Sequence, residues 1–166
     1  MRTQIVEFLS DVYLNHPNQS EVNNSFAEGD LYNKLLFFFE YHPFHNVLHQ
    51  KVFAIVEKAL SESYLSVTVN HLLYQTSLIK RILDTSSDHS SNTTANGGGF
   101  HVFGSTSGNR VAKGFLVYMR KIANKLVEMQ QHNEELASFL DSIPEWAEYF
   151  ENELKKVNEV MSKPLG

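Results

Sequence analysis

The chain has 166 residues, 42% of them hydrophobic, no cysteine and a formal net charge of −5. That length and apolar content suffice for one buried core, so a single helical domain over residues 1–166 is expected. The missing cysteines exclude disulfides, thiolate metal sites and a Cys nucleophile, and an acidic balance without a Lys/Arg cluster argues against a nucleic-acid partner.

The opening MRTQIVEFLSDVYL lacks the unbroken apolar run and cleavage site of a secretory signal. No stretch approaches the roughly 18 apolar residues of a membrane span. A cytoplasmic chain with no membrane partner is expected, with the sequons at Asn18, Asn23 and Asn92 idle.

Ile5 to Leu14 reads as the first amphipathic segment, with Ile5, Phe8, Leu9 and Val12 on one face. Residues 15–29, rich in Asn and Ser, read as a loop. Asp30 is placed to cap a helix from Leu31, which Pro43 ends. From Asn46 onward Leu48, Val52, Ile55, Val56, Ala59 and Leu60 recur at helical spacing, forming one stripe at about 100° per residue. A link this short forces the two helices together.

Val67 to Leu83 reads as one further helix, with Leu72, Ile79, Ile82 and Leu83 as its stripe. Residues 84–109 are dominated by Ser, Thr, Asn and Gly and contain no Lys or Arg. They are expected to form a long disordered loop, in which only Phe100–Phe103 carries enough apolar surface to dock or bind. Beyond it Val111, Phe115, Tyr118, Met119, Ile122, Leu126 and Met129 mark the longest helix. Ser142 and Glu145 have capping-box spacing ahead of Trp146, Phe150, Leu154 and Val157, which places Pro144 in a first turn.

The class is therefore all-α, built from antiparallel helix pairs. This pattern fits either a compact bundle or a fragment of an α-solenoid of the HEAT/armadillo kind. In the latter case the amino-terminal helices expose an apolar face that preceding repeats would cover.

Several blocks resemble one family in the same order along the chain. Phe38-Phe39-Glu40-Tyr41-His42-Pro43-Phe44-His45-Asn46-Val47-Leu48-His49-Gln50-Lys51-Val52 is similar to a segment FF-x-Y-P-W-N-N-F-L-H-x-Q-V, with one extra residue before Pro43 and Phe44 at the Trp position. Arg2 with Ile5-Val6-Glu7, His71-Leu72-Leu73 with Leu78-Ile79-Lys80-Arg81-Ile82-Leu83, and Gly114 with Lys121-Ile122-Ala123-Asn124 agree with three more blocks. Val117 and Tyr118 replace a Gly and a His in the last of these. Ile143-Pro144, Trp146, Phe150, Leu154 and Asn158 resemble its closing pattern. The family is the SAPS-domain family, regulatory subunits of phosphatases of the protein phosphatase 6 type, and the chain resembles the C-terminal part of that domain.

The resemblance implies an α-solenoid fragment that binds a protein phosphatase 6 type catalytic subunit and directs it to substrates, with no cofactor and no chemistry of its own. Tyr41, Phe44, Asn46 and His49 at the Pro/His corner are the candidate partner-binding residues, because a helix junction offers side chains and backbone groups that a helix middle does not. Two other classes remain open. One is a general helical adaptor. The other is a metal-stabilised protein using His42, His45 and His49, since His45 and His49 are four apart. Against it, a neutral His inside an apolar arc is satisfied by a neighbouring carbonyl or amide, so no metal ligand is assigned. Gly104 to Gly108 lacks the Lys-Ser/Thr of a phosphate loop. No GxSxG motif or carboxylate pair marks a catalytic site, and the chain is read as a non-enzyme.

Overall fold

The computed structural model describes residues 2–61, 66–90 and 114–162, and no strand occurs among the described residues. The elements are α1 (Arg2–Asn15), α2 (Gln19–Glu28), α3 (Leu31–Tyr41), α4 (Asn46–Leu60), α5 (Val67–Asn70), α6 (Leu78–Ser90), α7 (Phe115–Gln130), α8 (Glu134–Asp141), α9 (Pro144–Tyr149) and α10 (Lys155–Ser162). A π-helical turn follows α5 at His71–Gln75, and a second joins α9 to α10 at Phe150–Leu154. Among the described residues no helix is long and apolar enough to cross a membrane.

The centre of the core is α4, which packs between α1 and α7 and folds back against α3. Its stripe of Leu48, Val52, Ile55, Val56, Ala59 and Leu60 is fully buried, as the spacing requires. The face of α1 differs from the expected one. Val6, Ser10 and Tyr13 turn inward while Ile5 and Phe8 stay exposed. The choice is made by Tyr13, whose hydroxyl lies 2.9 Å from that of Tyr32 and whose ring packs on Phe26 at 4.7 Å. A buried phenol needs such a partner, and Ile5 and Phe8 offer none.

Residues 19–28 are helix rather than loop. Val22, Asn23, Phe26 and Ala27 form a narrow buried stripe that the surrounding Asn and Ser conceal. The Asn18 side chain caps α2 by accepting from the Glu21 N–H at 3.3 Å. Asp30 does not cap α3. It adopts a left-handed φ of 53° at the α2–α3 junction, which short polar residues tolerate. Its carboxylate instead accepts from the Asn33 amide at 3.3 Å and stands 3.6 Å from His71.

The expected single helix over Val67–Leu83 is broken. Thr76 donates its hydroxyl to the Leu72 carbonyl at 2.6 Å and its N–H to His71 at 3.1 Å, widening the turn by one residue. Ser77 then reverses to φ 53° before α6 begins. Arg81 fastens this break to α3: its guanidinium donates to the Thr76 carbonyl at 2.9 Å, to Asn33 Oδ1 at 2.7 Å and to the Glu40 carboxylate.

Residues 84–90 continue α6, so the Ser/Asn/Gly-rich stretch begins helical. The remainder of the expected loop, with Phe100–Phe103 and Val111, lies outside the described residues. Phe115–Gln130 is the longest described helix, at 16 residues. The sequence reading missed α8, which Asn133 caps through the Leu136 N–H at 2.8 Å, with Glu134 and Glu135 favourably placed in its first turn. Ser142 ends α8 by donating to the Phe139 carbonyl at 2.6 Å and forms no capping box. Pro144 occupies the first turn of α9, as expected.

The Arg81 fork makes a stability prediction. Arg81→Leu leaves Glu40 and Asn33 half-buried without their donor and should cost about 2 kcal/mol in urea unfolding. Arg81→Lys should recover only part of that, because one ammonium cannot span three acceptors. Equal stability of Arg81→Leu and the parent would remove the fork from the structural account.

Candidate partner-binding corner

The corner is built from the orphan groups that two helix ends leave behind. His42 leaves the helix at φ −115°, as a residue before proline must, while its N–H still reaches the Phe38 carbonyl at 3.2 Å. The His45 N–H closes the turn onto the His42 carbonyl at 3.1 Å. His45 then caps α4, its Nδ1 accepting from the Leu48 N–H at 3.3 Å. An imidazole thus does what Ser, Thr, Asp or Asn usually does at this position.

His49 is fully buried one turn into α4. Its Nε2 lies 3.1 Å from the Phe39 carbonyl, one of the acceptors that the end of α3 leaves without a helical donor. Nε2 therefore carries the proton and donates it. Nδ1 has no hydrogen-bond partner of normal geometry. Burial lowers the His49 pKa below the ordinary 6.5, opposed by the His42 and Phe39 carbonyls and reinforced weakly by His45 and His42. Around this neutral ring stand Phe39 at 4.9 Å, Phe115 at 6.0 Å and Tyr118 at 6.1 Å.

The junction before α7 rests on the same point. The Gly114 N–H donates to the Pro43 carbonyl at 2.9 Å. A Cβ on Gly114 would stand 2.7 Å from Asn46 Oδ1, 3.4 Å from the Pro43 carbonyl oxygen and 3.6 Å from His49 Nδ1. Glycine is favoured here by close approach rather than by φ, and the one tight contact is with the movable end of an exposed side chain. Tyr118, one turn further on, packs against Phe39, His49 and Phe53, with the Lys121 ammonium 5.4 Å from its ring centre.

Of the four candidate residues, Tyr41, Phe44 and Asn46 lie at the surface and His49 does not. A fully buried imidazole has no area to offer a partner, so His49 is a positioning residue beneath the surface. Two residues were missed. Phe37 stacks on Tyr41 at 5.6 Å, and Val47 follows Asn46. Phe37, Tyr41, Phe44 and Val47 are 54%, 62%, 66% and 48% exposed, an unusual concentration of apolar surface on one helix junction. The signal for Phe37 was available in sequence: it stands four residues before Tyr41 and shares its face.

The three histidines are each engaged separately. His42 stacks on Phe38 at 6.3 Å, His45 caps α4 and His49 bonds Phe39. Among the described residues no group of three His, Asp or Glu side chains stands in metal-holding geometry.

Two measurements follow from this geometry. Asn46 is exposed and able to rotate, so Gly114→Ala should cost under about 1 kcal/mol and should cost less still in an Asn46→Ala background. Additive effects of the two changes would place Gly114 away from Asn46. For His49, the unfolded chain takes up its proton near the ordinary value and the folded chain only at lower pH. Stability should thus be full above about pH 6.5 and fall as pH drops below it. His49→Gln should flatten that slope relative to the parent, and an unchanged slope would show that His49 is not the group responsible.

The family model SAPS, described as SIT4 phosphatase-associated protein, matches residues 21–163. No curated protein and no solved structure matches the chain.

Proposed function

The chain belongs to the SAPS family, the SIT4 phosphatase-associated proteins, and on that premise we propose that it is a non-catalytic regulatory subunit. In this reading it binds a Ser/Thr phosphatase catalytic subunit of the protein phosphatase 6 type in the cytoplasm, and directs it to substrates by recruitment. The observation that carries the choice of surface is the exposed set Phe37, Tyr41, Phe44 and Val47 at the α3–α4 corner. Stiff aromatic side chains held on a rigid junction lose little entropy on docking, and such residues dominate interface energetics.

The rest of the corner supplies rigidity. Pro43, the His45 cap, the His49 bond and the Gly114 contact fix the direction in which Tyr41 and Phe44 project. Asn46 is exposed at the edge of this set, where its amide can hydrogen-bond a partner. A subunit of this kind needs no cofactor, and nothing in the acidic composition favours a nucleic-acid partner.

Capture from cell extract with the chain as bait tests the reading. The parent should retain the phosphatase catalytic subunit. Tyr41→Ala with Phe44→Ala, and separately Asn46→Arg, should lower retention about tenfold or more, with helical content and melting temperature preserved. Loss of retention together with loss of helix would make the corner architectural. If the unsubstituted chain retains no phosphatase, the family-based function falls and a general helical adaptor remains.

A further inference from the structure

We propose that the groove between α6 and α9 binds a basic amphipathic helical segment of a partner protein. This groove is separate from the α3–α4 corner and does not rest on phosphatase association. It encloses about 950 Å³, at the large end of the range for binding cavities. Leu73, Ile79, Leu83, Ile143 and the Tyr149 ring form an apolar floor. Asp84 stands on the α6 side, and Glu145, Glu148 and Glu153 stand on the other. Lys80 is the one cation among the lining residues.

An apolar floor under carboxylates on both rims complements a helix that carries Leu-type side chains on one face and Lys or Arg beside them. Glu145 and Glu148 are three apart on α9 and so follow one another along the groove, matching the spacing of cations on such a helix. Both walls are formed in part by the π-helical turns, which contribute Leu73 and Tyr74 on one side and Asn152 and Glu153 on the other. Turns of this kind cost helix regularity and are frequent at functional sites. The Ser86 hydroxyl donates to Glu153 at 3.2 Å, tying the walls together. Burial, with Glu153 nearby and Arg120 opposing, pushes the Tyr149 phenol up to about 12.

The probe is a fluorescent Leu/Lys peptide of about 15 residues, long enough to hold a helix, with a Leu/Glu peptide of the same pattern as its counterpart. Anisotropy with the full chain should show binding of the basic peptide only. Glu145→Lys with Glu148→Lys should weaken it about tenfold or more, with helical content and melting temperature preserved, because both carboxylates are exposed. Glu57→Lys with Glu159→Lys, two exposed positions elsewhere that change net charge equally, should leave binding nearly intact. Equal weakening by the two charge-reversed pairs, or equal binding of both peptides, would overturn the proposal. It would also fall if the chain formed dimers that the groove substitutions dissociate, since a second copy would then be the occupant.

Discussion

The hydrogen bond from His49 to the Phe39 carbonyl is the contact on which the corner, and through it the packing of three helices, depends. A helix that stops at a proline leaves carbonyls without donors, and in the core such a group costs about 1–3 kcal/mol if it stays unpaired. α4 supplies the donor from its own first turn. The bond is buried and places the proton on Nε2, while burial is what keeps the ring neutral. Because the ring is neutral it also tolerates the aromatic walls provided by Phe39, Phe115 and Tyr118.

Other contacts likewise join blocks that lie far apart in the chain. Gly114 approaches the corner closely enough that a Cβ there would displace the Asn46 side chain, and the Pro43 carbonyl accepts its N–H. Arg81 performs the equivalent task between α6 and α3. From the middle of α7, Asn124 exchanges amide hydrogen bonds with Asn158 at 2.8 and 3.2 Å, linking α7 to α10. Each of these positions lies in one of the sequence blocks that carry the family resemblance, and each is explained by a contact between blocks.

The same architecture separates two surfaces of different chemistry. At the α3–α4 corner, apolar side chains face outward because the inward positions of α3 are already filled by Tyr32, Leu35, Leu36 and Phe39. At the α6–α9 groove the apolar residues are recessed and the carboxylates stand at the edge. The first surface is apolar and convex at a helix junction, the second is recessed with an acidic rim.

The sequence by itself determined the all-α class, the α3–corner–α4 unit, the α4 stripe, the Pro144 turn and the family. These follow from helical periodicity, from proline and from ordered motifs, all of which are local. It did not reveal α2 or α8, whose stripes are only two to four residues wide and whose caps are asparagines in polar surroundings. The inward face of α1, the break at Thr76–Ser77 and the burial of His49 were likewise decided by partners elsewhere in the chain: Tyr32, Arg81 and the Phe39 carbonyl. Periodicity states that a helix has an apolar side, but burial also demands that every polar atom carried inward find a partner. Only the tertiary structure brings those partners within hydrogen-bonding distance, and for that reason it alone separates Tyr41, Phe44 and Asn46 at the surface from His49 beneath them.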